Sequence, residues 1–170
     1  MAYRFEPLDT ARHNRAGFQS AVGALNVYLQ QQARKDADRH LAATFVLIDD
    51  AAPTLIVGYY TLSNFTVELA ELPADLTRKL PRYPRLPATL IGRLARGDRF
   101  PGTGALLLDD ALTRAYAQTR VSGSVAIVAE AKDDTALRFY KKHGFLQLGA
   151  ESNRVYLAMG SVEQLVCSAG

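Results

Sequence analysis

Apolar and polar positions along the chain form short runs typical of strands and wider stripes typical of helices. Residues 44–48 and 125–129 are continuous apolar runs rich in β-branched side chains, which predicts buried strands. Residues 25–38 and 105–116 instead space apolar side chains three and four positions apart, which predicts amphipathic helices. A further helix is predicted at 134–142, where Gly144 supplies a C-terminal stop.

Further strands complete the pattern, at 3–8, 55–62, 88–95 and 155–159. The turn-like residues 49–53 predict that 44–48 and 55–62 form a hairpin, and residues 65–69 extend the sheet. Prolines at 73, 81, 84 and 87 remove amide donors, so residues 70–87 are predicted to be irregular, with one helical turn at 75–80. Strands and helices mixed in this order predict an α/β (α+β) domain built on one mixed sheet.

Length and composition agree with one globular domain spanning residues 1–170, with 48% hydrophobic and 22% charged residues. Cys167 is the single cysteine, which excludes an intramolecular disulfide and favours a reducing, cytoplasmic compartment. No apolar run approaches the length of a membrane span, so we expect no membrane association. We also expect no metal site.

The net charge is only +3, but the basic residues are clustered. Four of them lie within one short stretch: Arg78, Lys79, Arg82 and Arg85. Arg93, Arg96 and Arg99 follow soon after. Such a cluster attracts an anionic partner, either coenzyme phosphates or nucleic acid, although a solvated basic loop explains it equally well.

A glycine-containing turn, residues 99–104, lies between a predicted strand and a predicted helix. Glycines allow close approach of a ligand, and free amides at a helix N-terminus attract phosphate, but a simple tight turn has the same pattern. The Lys-Ser/Thr pair of a Walker loop does not follow Gly104, and the three-glycine spacing of a dinucleotide fingerprint is missing.

A second motif, residues 136–145, contains the aromatic residues Phe139, Tyr140 and Phe145 before and after Gly144. A short amphipathic helix with an aromatic core and a glycine C-cap accounts for most of it. A tyrosine can nevertheless bury its ring while placing its hydroxyl in a cleft, so Tyr140 is a candidate for chemistry.

Together, in this order and spacing, the two motifs resemble those of the GNAT N-acetyltransferases. The resemblance implies the GNAT fold, a mostly antiparallel central sheet flanked by helices, and acetyl-coenzyme A as cosubstrate. It also implies that Tyr140 is the general acid that protonates the departing thiolate. The residues that it assigns to the coenzyme are Leu94, Ala95, Arg99, Phe100, Gly102, Thr103, Gly104, Ala105, Asp133, Ala136 and Phe139. Phe100 stands where the family usually has glycine, and Pro101 has no amide to offer.

The front half is similar to the GNAT toxins of bacterial type II toxin–antitoxin modules. The similar segments are Phe18-x-Ser20, Leu25-Asn26-x-Tyr28-Leu29 with Ala33 and Asp36, residues 58–63, residues 80–84 and residues 92–95. This resemblance implies an aminoacyl-tRNA substrate acetylated on its α-amine, a small antitoxin as partner, and a homodimer. Arg78, Lys79, Arg82, Arg85 and Arg93 become candidate tRNA contacts.

Two other functions remain compatible with the sequence. The same fold could serve an acetyltransferase of a small-molecule or protein amine, because fold does not determine substrate. Alternatively, the altered glycine turn could belong to a catalytically weak coenzyme-binding regulatory module.

Overall fold

The computed structural model describes residues 2–149 and 152–168, which contain seven strands and six α-helices. The strands are β1 (Tyr3–Pro7), β2 (Ala43–Asp49), β3 (Gly58–Glu68), β4 (Arg85–Arg96), β5 (Ala126–Glu130), β6 (Leu146–Gln147) and β7 (Arg154–Ala158). The helices are α1 (Gly23–Gln31), α2 (Ala33–Asp38), α3 (Ala74–Thr77), α4 (Thr103–Gln118), α5 (Asp134–Lys142) and α6 (Met159–Ser168). A 3-10 turn, Leu69–Glu71, precedes α3.

The strands form one mixed sheet in the order β1-β2-β3-β4-β5-β7-β6. β1 with β2, β2 with β3, β5 with β7 and β6 with β7 are antiparallel. β4 and β5 are parallel, which requires a long crossover connection, and α4 lies between them in the chain. The predicted α/β class, with a mostly antiparallel sheet and flanking helices, is confirmed.

Two compact units divide the chain, and each has its own apolar core. The first unit comprises Met1–Ser63 with Gly92–Ala111, and the second comprises Asn64–Ile91 with Leu112–Gly170. The core of the first unit contains Phe18, Leu25, Tyr28, Leu29, Ala33, Val46, Ile48, Ile56, Tyr59 and Ala95. That of the second contains Val67, Leu72, Leu86, Ala88, Val128, Leu148 and Tyr156. The single domain over residues 1–170 stays a prediction.

The one helix predicted at 25–38 is two helices in the structure. Gln32 departs from helical geometry, with φ −120° and ψ −31°, so α1 ends before it and α2 begins after it. Leu29 and Ala33 are fully buried on either side of the break, so the apolar periodicity continues across it. This is why the periodicity alone predicted one helix. Side chains also bridge the break, because the Gln32 amide donates to Asp36 Oδ1 at 2.8 Å.

The predicted hairpin is confirmed by the antiparallel pairing of β2 with β3, although β3 begins at Gly58 rather than at residue 55. β3 continues unbroken through Asn64 to Glu68, so the predicted extension at 65–69 belongs to the same strand. β4 begins at Arg85, earlier than predicted, and includes Pro87. Proline lacks a donor but keeps its carbonyl, and the Val125 N–H donates to the Pro87 carbonyl at 2.9 Å.

The helical turn predicted at 75–80 is α3, which is shorter and begins one residue earlier. Three elements were not predicted: the 3-10 turn Leu69–Glu71, β6 and α6. With two residues, β6 is too short to show a period, whereas α6 buries Val162 and half-buries Val166, four positions apart. Among residues 2–149 and 152–168, no helix is long and apolar enough to cross a membrane.

Candidate functional site

The glycine-containing segment forms a closed turn between β4 and α4. The Gly97 N–H donates to the Val57 carbonyl at 2.7 Å, and the Phe100 N–H donates to the Gly97 carbonyl at 3.1 Å. Gly102 has φ +84°, in the left-handed region that glycine tolerates. The buried Thr103 hydroxyl donates to the Phe100 carbonyl at 2.7 Å. The turn therefore ends immediately where α4 begins.

Backbone amides are available at the start of α4. The first N–H groups of a helix lack intrahelical partners, and those of Gly104 and Ala105 have no other acceptor within the described part of the chain. A Cβ atom at Gly102 would meet no atom within 4 Å, so open space lies beside the turn. The positive N-terminal end of this 16-residue helix adds to the attraction for an anion. These features fit a phosphate group.

The bulky Phe100 is accommodated at the start of the turn. A Cβ atom at Gly97 would come within 3.1 Å of the Phe100 ring, so the ring lies against Gly97. Arg99 and Pro101 are exposed. Leu94 is half-buried at the end of β4, and Ala95 packs in the core of the first unit. The departure from the glycine pattern therefore leaves the amides of Gly104 and Ala105 free.

The second motif folds as α5, with the bounds predicted from sequence. Asp133 is its N-cap: its backbone is extended, and Asp133 Oδ1 accepts the Ala136 N–H at 2.8 Å. Gly144 follows the helix with φ +94°, as expected for a glycine stop. Ala136 and Phe139 are half-buried, and Tyr140 is buried. Asp133 was predicted to contact the coenzyme; in the structure it caps the N-terminus of α5.

The Tyr140 ring is held by other aromatic rings. Its centroid lies 5.4 Å from that of Phe139 and 5.2 Å from that of Phe145. The hydroxyl makes no hydrogen bond within the described residues. Among these, Thr44 Oγ1 is the only fully buried side-chain nitrogen or oxygen without a partner, so the Tyr140 hydroxyl keeps some contact with solvent.

Burial raises the pKa of Tyr140 above its usual value near 10. The phenol is therefore neutral throughout the physiological range and carries a proton. A buried ring with a protonated, unpaired hydroxyl is a suitable proton donor to a ligand.

The basic cluster at 78–85 is exposed, and half of it is paired with carboxylates. Arg78 lies 2.5 Å from Asp75, and Arg85 lies 3.3 Å from Glu68. Lys79 and Arg82 have no ionic partner among the residues that the structure describes. Those two side chains are therefore the more available members of the cluster for an anionic ligand.

Arg93 differs from this cluster because its guanidinium stacks on an aromatic ring. Its Cζ lies 3.7 Å from the centroid of the Tyr28 ring. The Tyr28 hydroxyl donates to Asp36 Oδ2 at 2.7 Å. The sequence marked Tyr28 and Asp36 as family-like positions but assigned them no role, because only the folded chain brings Tyr28 of α1 against Arg93 of β4.

The predicted site residues are divided between the two units. The first unit holds Arg93, Leu94, Ala95, Arg99, Phe100, Gly102, Thr103, Gly104 and Ala105. The second unit holds Arg78, Lys79, Arg82, Arg85, Asp133, Ala136, Phe139 and Tyr140. In the described part of the chain, no cluster of three or more histidine, cysteine, aspartate or glutamate side chains could hold a metal ion.

Known proteins resemble this chain over most of its length, although no family model matches it. A "tRNA-acetylating toxin" of Mycobacterium tuberculosis is 31% identical over 130 residues, which are 75% of each chain. A "Probable toxin TacT" of Sinorhizobium fredii is 25% identical over 170 residues, 95% of this chain and 93% of the relative.

Solved structures share the fold. A mutant of KacT, in which phenylalanine replaces a tyrosine, has a TM-score of 0.90 and 27% identity, covering 97% of this chain and 99% of that one. AtaT in complex with acetyl-methionyl-tRNAfMet has a TM-score of 0.87 and 27% identity, covering 96% and 98%. AtaTR bound with acetyl-coenzyme A has a TM-score of 0.84 and 27% identity, covering 96% and 98%.

Proposed function

Because the chain belongs to the GNAT toxins of bacterial toxin–antitoxin modules, we propose that it acetylates the α-amine of an aminoacyl-tRNA. Acetyl-coenzyme A is the cosubstrate in this proposal, and the reaction is that of an N-acetyltransferase. An acetylated aminoacyl-tRNA lacks the free amine needed for peptide elongation. Translation would therefore stop for lack of usable charged tRNA.

The observation that carries this proposal is the state of Tyr140. Its ring is buried between aromatic neighbours, its hydroxyl is without a hydrogen-bond partner in the described residues, and its pKa is raised by burial. A neutral phenol in this state can hold a proton at Oη for a departing thiolate. The KacT structure in which phenylalanine replaces a tyrosine agrees with a role for a tyrosine hydroxyl in this family.

Residues of this chain have separate roles in the proposed reaction. Acetyl-coenzyme A, when bound, supplies the acetyl group as a reactive thioester. The Gly104 and Ala105 amides and the positive end of α4 bind its phosphates, and the open space at Gly102 admits them. Leu94 and Ala95 offer strand backbone to the pantetheine arm. As the neutral amine nitrogen bonds to the acetyl carbon, the carbon–sulfur bond breaks and Tyr140 protonates the departing thiolate. The proton lost by the new amide nitrogen passes to solvent, from which Tyr140 is reprotonated.

The test is Tyr140→Phe, with Tyr156→Phe as the matched control. Both tyrosines are buried in the second unit, and burial raises the pKa of each. We expect Tyr140→Phe to lose acetyl transfer by about 10²- to 10⁴-fold, the usual contribution of general acid catalysis, while Tyr156→Phe retains it. Unchanged turnover in Tyr140→Phe, with its fold verified by circular dichroism, would remove Tyr140 from the mechanism.

The substrate is tested by labelled acetyl transfer to total charged tRNA, with deacylated tRNA, free amino acids and a lysine-rich protein as parallel acceptors. We expect label only on charged tRNA. Label on the free amino acids would instead support an acetyltransferase of small-molecule amines, and label on the lysine-rich protein would support an acetyltransferase of protein amines. Acetyl-coenzyme A binding without transfer to any acceptor would support the regulatory module.

Membership of this family also supports a protein partner and a location. We propose that a small antitoxin protein binds and silences the chain, and that the chain acts in the cytoplasm, where charged tRNA is used. Growth arrest on expression, relieved by Tyr140→Phe or by coexpression of a cognate antitoxin, is the expected behaviour. The homodimer stays a prediction, which light scattering of the purified protein tests.

A further inference from the structure

Arg93 combines a fixed position with unused hydrogen-bond donors. It lies on β4 with a half-buried side chain, and its guanidinium stacks on the Tyr28 ring at 3.7 Å from the centroid. Cation–π contacts extend to about 6 Å, so this separation is close. The stacking restrains the plane of the guanidinium without using any of its N–H groups.

Those N–H groups have no hydrogen-bond acceptor among the residues that the structure describes. Within the described residues, the Arg93 side chain makes neither a hydrogen bond nor an ion pair. Other arginines of this chain, such as Arg78 and Arg154, pair with carboxylates. The pKa of Asp36 is lowered by its hydrogen bonds from Gln32 and Tyr28 and also by the charge of Arg93, but no Arg93 N–H lies within hydrogen-bond or ion-pair distance of that carboxylate. The donors of this half-buried arginine are therefore unused within the described residues. Its planar fork matches the geometry of a phosphate group.

Tyr28 is itself held in place by a network of side chains. Its hydroxyl donates to Asp36 Oδ2 at 2.7 Å, and Gln32 donates to the other oxygen of Asp36 at 2.8 Å. The Tyr28 ring also stacks on Tyr59 with centroids 6.4 Å apart, and the Tyr59 hydroxyl donates to the Leu25 carbonyl at 2.7 Å. The surface on which Arg93 stacks is therefore rigid.

The backbone of Arg93 is fixed as well. Its N–H donates to the buried Thr61 hydroxyl at 3.0 Å. A Cβ atom on the preceding residue, Gly92, would come within 3.0 Å of the same hydroxyl oxygen, so a larger side chain there would crowd this bond. The backbone bond holds the base of the Arg93 side chain, and the contact with the Tyr28 ring holds its guanidinium.

We propose that Arg93 binds a backbone phosphate at the acceptor end of the aminoacyl-tRNA, and that Tyr28 and Asp36 are positioning residues for it. This inference rests on the function proposed above. The coenzyme is the other source of phosphate, but the free amides of the α4 N-terminus already suit its phosphates. Arg93 lies three residues, about 10 Å of strand, before the end of β4 and the turn that leads to α4. Its donors therefore remain available to the aminoacyl-tRNA.

The first test compares Arg93→Ala with Arg120→Ala, a control that removes the same charge at an exposed position of the second unit. We expect Arg93→Ala to raise KM for charged tRNA on the order of tenfold, the effect of losing a hydrogen bond to a charged group. The dependence of log Kd for tRNA on log salt should become shallower by about one phosphate contact. KM for acetyl-coenzyme A should not change in either variant.

The second test asks whether Tyr28 acts through Arg93. Tyr28→Phe keeps the ring but loses the hydrogen bond to Asp36, so it should raise KM for tRNA by less than Tyr28→Leu does. Tyr28→Leu removes the ring and should raise KM about as far as Arg93→Ala does. The double variant Tyr28→Leu/Arg93→Ala should be no worse than either single variant, because both remove one interaction. Arg93→Lys keeps the charge but loses the planar guanidinium, so its KM for tRNA should lie between those of the wild type and Arg93→Ala. This variant also leaves the buried Tyr28 ring intact.

Each result decides between specific alternatives. A wild-type protein that acetylates no charged tRNA overturns the proposed function and this inference with it. A wild-type protein that does so, together with an unchanged KM for tRNA in Arg93→Ala, overturns the assignment of Arg93 alone. A rise in KM for acetyl-coenzyme A instead of tRNA would place the coenzyme's phosphate at Arg93. Additive effects of Tyr28→Leu and Arg93→Ala would refute the positioning role of Tyr28.

Discussion

The Tyr140 ring packs against Phe139 and Phe145, while its hydroxyl is left without a partner in the described residues. Removing the phenol from water disfavours its charged form, which is the cause of its raised pKa. The same burial fixes the ring, because packed aromatic neighbours leave it little rotational freedom. At the residue scale, one packing arrangement thus provides both a protonated acid and a defined position.

This raised pKa predicts the pH dependence of acetyl transfer. Tyr140 must be protonated to donate, and with a pKa above about 10 it stays protonated at all lower pH. We therefore expect kcat for charged tRNA to show no alkaline decline below about pH 10. Initial rates are needed, because the aminoacyl ester hydrolyses in alkali. An alkaline limb at about pH 8–9 that disappears in Tyr140→Phe would contradict this prediction.

At the scale of a single element, α5 shows how a short helix is defined by its ends. Asp133 accepts the Ala136 N–H before the first turn, and Gly144, with φ +94°, follows the last. The basic residues Lys141 and Lys142 lie in the last turn, where they stabilise the negative end of the helix. These local signals explain why the sequence predicted the bounds of α5 correctly.

The capping role of Asp133 predicts a measurable loss of stability. Asp133→Ala should lower the free energy of unfolding by about 1 kcal/mol, because the Ala136 N–H loses its acceptor. Asp133→Asn is the control and should be nearly neutral, since asparagine caps as well as aspartate. Urea denaturation measures both. If Asp133→Ala instead left the free energy of unfolding unchanged and raised KM for acetyl-coenzyme A, the carboxylate would act on the coenzyme rather than as a cap.

At the scale of the whole molecule, several buried tyrosines link stability to alkaline pH. Burial raises the pKa of Tyr59 and Tyr140, and burial together with the hydrogen bond to Asp36 raises that of Tyr28 to about 12. In the unfolded chain these groups ionise near pH 10. The folded state therefore keeps protons that the unfolded state has lost above that pH.

We accordingly expect the free energy of unfolding to be independent of these tyrosines below about pH 10 and to fall as pH rises towards about 12. Urea midpoints measured between about pH 8 and 11 test this, with tyrosinate absorbance as a second readout. Tyr28→Phe should make the fall less steep, because one linked group is removed. A urea midpoint that stays constant up to pH 11 would show that folding does not raise the pKa of these tyrosines.

Much of the fold and the two motifs could be predicted from the sequence, because they depend on neighbours a few positions apart. The strands at 44–48 and 125–129, α5, and the turn with Gly102 all follow from apolar period, caps and glycine positions. The same local rules missed the break at Gln32, since Leu29 and Ala33 stay buried across it. They also could not show which arginines of the basic cluster pair with Asp75 and Glu68.

The sequence pointed to Tyr140 through the order and spacing of two motifs that resemble those of the GNAT family, and the local pattern of caps placed it in α5. Only the tertiary structure decided that its hydroxyl has no partner within the described residues and that its pKa is raised. Only the tertiary structure placed Arg93 on the Tyr28 ring. The physical reason is that periodicity and capping act between neighbours in sequence. Burial, stacking and the pairing of charges depend on residues that packing brings together from distant parts of the chain.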